Sequence, residues 1–174
     1  ATTVTCVNTE ISVTASGADS YTWSDGSSTS TTRDFTTAAT YTVTGTDASN
    51  GCTNTAEITV TVDNTQPTVV VTSNETSSAT TVTCDNTEIS VTASGADSYT
   101  WSDGSSTSTT RDFTSAATYT VTGTDASNGC TNTADITITV DNTQPTVVIT
   151  NNETASSTEV TCANTEISVT ASGA

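Results

Sequence analysis

Residues 1–66 and 79–144 are one sequence written twice, 78 positions apart, differing only at Val7/Asp85, Thr37/Ser115, Glu57/Asp135 and Val60/Ile138. Copies this similar must make the same structure, so the chain reads as an array of one small module. DNTQP recurs at 63–67 and 141–145, and this proline-marked turn composition between strand-like runs sets the unit boundary. The expected organisation is a first unit at 1–66 lacking its leader PTVVVTSNETSS, a complete unit at 67–144, and the opening strands of a third at 145–174.

Inside the complete unit the apolar residues alternate. In EISVTAS (88–94), Ile89, Val91 and Ala93 fall on one face and Ser90, Thr92 and Ser94 on the other, the period of a half-buried strand. ADITITV (134–140) repeats the pattern with Ile136, Ile138 and Val140. The composition, 32% hydrophobic with a formal net charge of −17, also suits disordered chains, but such alternation argues against disorder. The 49 Thr and 24 Ser suit the wet faces of strands. Strands are expected at 68–72, 80–84, 88–94, 98–102, 106–113, 117–125 and 134–140. Seven short strands spaced by turn signals such as SDGS and SNG predict an all-β chain of tandem two-sheet β-sandwiches. The expected core is Ile89, Val91, Trp101, Phe113, Tyr119, Val121, Ile136 and Ile138.

The order Cys84, EISVTASG, SYTWSDG, ATYTVTGTDASNGC and TADITITV resembles the immunoglobulin-like and PKD-like modules found in tandem in large Bacteroidetes surface and secreted proteins, including gliding-motility adhesins. That resemblance covers the whole repeat and implies extracellular, multi-domain stalks and adhesins without implying one shared ligand. The chain departs from antibody domains at Tyr119 and Val121, which stand where those have Tyr-x-Cys, so a mid-strand disulfide is not expected. Trp101 and Tyr99 share one strand face. They read as core or as a sugar-stacking platform, and the core reading is favoured because central aromatics usually supply the buried area.

Cys6, Cys84 and Cys162 form one periodic series, and Cys52 and Cys130 the other. Without a CxxC, zinc is disfavoured, and five cysteines in a thin-cored repetitive chain suggest disulfides made in an oxidising compartment. Two schemes are open. The simpler pairs Cys6 with Cys52 and Cys84 with Cys130. The other starts from the segment before the second sandwich strand and the late turn lying at opposite ends of a module, so that Cys130 reaches Cys6 of the preceding unit. Either way Cys162 needs a partner 46 positions further on, and the chain reads as a window cut from a longer array.

The charge makes nucleic acid and anionic membrane surfaces poor partners, with Arg33 and Arg111 the only cationic side chains. No stretch is apolar enough to span a bilayer, and any signal or anchor segment is expected to lie outside these residues. With no His and no Lys a serine has no evident activating base, so an enzyme is not expected. Calcium is the candidate cofactor, through Asp63 and Asn64 of the linker with Asp97, Asp125 and Asn128 of the following unit, against the simpler reading that these residues make turns. The sequons at Asn74 and Asn152 are expected to be unmodified, and ice binding by threonine arrays is disfavoured by strand twist.

The function expected is a structural repeat of a long extracellular fibre or cell-surface adhesin stalk, whose partners are neighbouring identical repeats or subunits. The alternative is a multivalent module binding a surface glycan or a host or substratum protein. Residues 145–174 present a leader with no sandwich to complete. The array is therefore either continuous or built by the tail of one subunit filling the gap in the next.

Overall fold

A computed structural model describes residues 2–26, 29–104, 107–152, 159–162 and 166–173. The chain is all-β and consists of tandem two-sheet sandwiches. The first uses β1 (Thr3–Thr5), β2 (Ile11–Thr14), β3 (Ser20–Trp23), β4 (Thr32–Phe35), β5 (Ala39–Thr46) and β6 (Thr53–Asp63). The second uses β7 (Val70–Ser73), β8 (Thr81–Thr83), β9 (Ile89–Ser94), β10 (Ser98–Trp101), β11 (Thr110–Phe113), β12 (Ala117–Thr124) and β13 (Thr131–Asp141). A short ribbon follows, β14 (Val148–Asn151) against β15 (Val169–Ser172).

In the second sandwich the sheet β10-β12-β13-β8 faces the sheet β11-β9-β7; in the first, β3-β5-β6-β1 faces β2-β4 alone. The leader strand β7 is thus the architectural difference between the two. The expected strands are present, with shifted ends. The leader starts at Val70, the fifth strand covers Thr110–Phe113, and the last strand is longer than its alternating stretch, running from Thr131 to Asp141. That extension pairs Thr131 with Thr124 and closes the β12–β13 hairpin right to its turn, where polar residues show no alternation to read. Residues 105 and 106 lie outside the described residues.

Burial follows the alternation except at Val140, which is exposed near the end of β13. Ile89, Val91, Trp101, Phe113, Val121, Ile136 and Ile138 are buried, and Tyr119 packs against them half-buried. The Trp101 indole, 2% exposed, donates to the Ser108 carbonyl at 2.9 Å and meets Phe113 edge-on at 5.7 Å. Phe113 in turn stacks on Tyr119 at 3.7 Å, and Arg111, paired with Asp103, covers its outer face. Aromatic packing supplies much of the buried area in a core otherwise built of valines and isoleucines. On the wet faces threonines bond across strands, Thr81 to Thr139 at 2.7 Å and Thr118 to Thr137 at 2.9 Å. The threonine excess is therefore cross-strand pairing as well as solubility.

Candidate functional site

β1 runs parallel to β6, with Thr5 opposite Asp63, so both strands finish at the same end of the first sandwich. Cys6 consequently emerges beside the linker. Cys130 lies in the turn between β12 and β13, at the end of the second sandwich that faces this linker. The two are bonded, with an S–S distance of 1.96 Å and a Cα separation of 5.0 Å. This corrects the simpler scheme: Cys6 does not pair with Cys52, nor Cys84 with Cys130, because the two cysteines of one sandwich sit at its opposite ends. Cys52, Cys84 and Cys162 are free and exposed.

Around the disulfide the junction is knit by amides. Asn128, 2% exposed, donates through Nδ2 to Asp63 Oδ1 at 3.1 Å and to the Thr65 carbonyl at 3.0 Å, while its Oδ1 accepts the Cys130 N–H at 2.9 Å. Asn132 donates to the carbonyl of buried Pro67 at 3.0 Å. Val7 lies against Gly129, whose φ of +71° suits the turn and where a Cβ would collide with the valine. Backbone N–H donation from Thr65, then the Asn128 amide, hold the Asp63 carboxyl below its ordinary pKa. Asp125 is lowered chiefly by the Ser127 hydroxyl and N–H, with partial burial and then nearby Asp63 opposing.

Of the residues expected to gather at a cation, Asp63 and Asn128 touch. Asp97 and Asp125 line one cleft of about 300 Å³ with Pro67, Gly95 and Ala96. Asn64 is exposed in the linker. Asp97 Oδ2 accepts the Ala126 N–H at 2.8 Å and Asp125 Oδ1 accepts from Ser127, so these carboxylates shape turns. Among the described residues no group of three or more His, Cys, Asp or Glu is placed to hold a metal ion. The sequon residue Asn74 is bonded into the sheet, donating to Ser90 Oγ at 3.2 Å and accepting from Thr92 Oγ1 at 3.0 Å. The second sequon lies largely outside the described residues.

The second feature is a groove of about 440 Å³ on the first sandwich, lined by Val13, Ala15, Tyr21, Val43, Ala56 and Ile58 among others. In the second sandwich this space holds the leader. Val69 is buried there, Val71 packs on the core, and β7 pairs with β9 from Val70↔Ser94 to Ser73↔Val91. A Cβ on Gly95 would collide with the Thr68 carbonyl, whereas Gly17, its counterpart, has nothing within 4 Å. Sequence reading did not foresee the amide contacts. The Asn-Gly-Cys context of both late cysteines was the available signal.

Fold and junction together define a tandem all-β sandwich repeat whose consecutive modules are covalently tied. No protein-family model matches the chain, and no curated protein matches it. No helix among the described residues is long and apolar enough to cross a membrane.

Proposed function

We propose that the chain is a structural spacer, a repeat of a long extracellular fibre or cell-surface stalk, with 1–66, 67–144 and 145–174 as successive units. One observation carries the reading: the Cys6–Cys130 disulfide joins neighbouring modules instead of bracing one. A binding domain needs internal rigidity, whereas a spacer needs its joints locked, and the hydrogen bonds of Asn128 and Asn132 act on the same joint. A structural disulfide persists in oxidising surroundings, which supports placement outside the cell. The rival module that binds glycans loses its best platform, because Trp23 and Trp101 are each 2% exposed.

Small-angle X-ray scattering of the intact chain, with and without reductant, tests the spacer. Locking by the disulfide predicts a narrow distribution of dimensions that broadens on reduction and in Cys6→Ser. A distribution equally broad in all three would overturn it. A repeat of the measurement with chelator reports on calcium at the linker: broadening there would add a cation to the joint.

A further inference from the structure

The Cys6–Cys130 disulfide spans a sequence separation of 124 residues, and the ring it closes contains β2 to β12, the linker and both aromatic cores. Chain before Cys6 and chain after Cys130 are thereby joined by a covalent path that avoids the ring. That path is short. It runs along β1 to Cys6, crosses the two sulfurs and continues along β13 to Asp141. β1 finishes at the joint with Thr5 opposite Asp63, whereas β13 starts there, beside Cys130, and finishes at the other end of the second sandwich with Asp141 opposite Thr83. The two strands therefore lie in series, one on each side of the joint.

From this we infer that the disulfide makes the chain a tension-bearing tie, in which a pull along the chain passes through β1, the sulfurs and β13 and leaves both cores unloaded. The inference rests on the spacer reading and deepens it by naming the path of the load. Without the bond, tension would pass through every strand and turn in order, and each turn opened would lengthen the chain. With it, the loaded segments are strands that already rise about 3.3 Å per residue against a limit of roughly 3.3–3.6 Å, so they have almost no length to give. Tension along β13 also acts at right angles to its antiparallel ladder with β12, and so does not peel the strand away.

Everything the load would otherwise damage lies inside the ring. Trp23 with Phe35, and Trp101 with Phe113, pack there edge-on, and the hydrogen bonds that Asn128 makes to Asp63 and Thr65 are inside it too. The bond that carries the load is itself sheltered. Thiol exchange requires a thiolate to reach a sulfur, and burial of Cys130 closes one of the two approaches.

The test uses the full chain with the free and exposed Cys52, Cys84 and Cys162 replaced by Ser, held in optical tweezers by peptide tags fused to its two ends. This crosslinked chain should show no stepwise lengthening from either sandwich. With Cys6→Ser and Cys130→Ser added, it should unfold in steps and reach a fully stretched length greater by roughly 400–450 Å, the reach of the 124 residues that the bond takes off the path. Trp101→Ala should lower the unfolding force of the second sandwich in the uncrosslinked chain only. Val121→Cys, at a buried core position, reports whether that core stays shut. A maleimide dye should label it under tension in the uncrosslinked chain and leave it unlabelled in the crosslinked one. Stepwise lengthening of the crosslinked chain, or labelling of its Val121→Cys at the force that unfolds the uncrosslinked one, overturns the inference. A crosslinked chain that labels under load yet keeps a narrow distribution of dimensions in scattering leaves the spacer reading standing, so the two fail separately.

Discussion

Val91 and Val13 occupy the same place in the same stretch, EISVTAS, yet Val91 is sealed and Val13 is only half-buried. The same split runs through Ala93 and Ala15, Val121 and Val43, and Ile136 and Ile58. Apart from four substitutions the two sandwiches share one sequence over 66 residues, so side-chain chemistry cannot explain the contrast. The leader strand explains it. Trp101 and Phe113 are as buried as Trp23 and Phe35, although Trp23 lines the groove, because the opposing sheet and the neighbouring aromatic rings cover them in both copies. The module therefore has a central core that any copy makes for itself and a flank that needs a strand laid over it.

The largest expected effect tests the shared half. Trp101→Ala should cost about 3–5 kcal/mol in the second sandwich, and Trp23→Ala about the same in the first, read by urea unfolding in a Cys6→Ser background where each sandwich unfolds by itself. Unequal costs would mean that the flank reaches the centre of the core. Next comes the joint: Cys6→Ser should remove about 2–4 kcal/mol and separate two transitions that the crosslink couples. An unchanged unfolding curve would show that the disulfide constrains orientation alone.

The flank distinguishes the copies more sharply. Ile136→Ala should cost about 2–4 kcal/mol by the usual cavity cost, whereas Ile58→Ala, at a site already open to solvent, should cost roughly half as much. Equal penalties would break the comparison. Smaller again is the amide at the joint, where Asn128→Ala should cost about 1–3 kcal/mol by leaving Asp63, Thr65 and Cys130 without their partner. Asn50→Ala, at the exposed counterpart, should stay within about 0.5 kcal/mol.

The smallest effect is one of pH. The Asp63 carboxyl is held below its ordinary value by N–H donors, so its contribution is complete above about pH 4 and is lost as the pH falls through the lowered folded value. Asn128 side-chain resonances should move over that acidic window, and Asn128→Ala should bring the Asp63 titration back towards the ordinary value. Asn50→Ala should leave it alone.

Much of this was legible in the chain. Alternation in EISVTAS and ADITITV placed β9 and β13 and named their buried residues except at Val140, which is 41% exposed near the end of β13, because a strand with one wet face writes its orientation into every second residue. The 78-residue offset identified the tandem modules. The polar ends of β13, the start of β11 and the hydroxyl of Tyr99, bonded to the Ala96 carbonyl at 2.8 Å, carry no such period and were not legible.

What the sequence determined by itself is therefore local: strand, face, repeat and the two series of cysteines, all consequences of periodicity along one chain. Which cysteines bond was decided by tertiary structure. β1 pairs parallel with β6, so Cys6 is delivered to the linker end of its sandwich, far from Cys52 and next to Cys130 of the following one. Nor could composition tell the Asn128 side chain, locked between Asp63 and Thr65, from the identical and exposed Asn50. Identical residues acquire different roles here because burial and bonding depend on what the neighbouring module places against them.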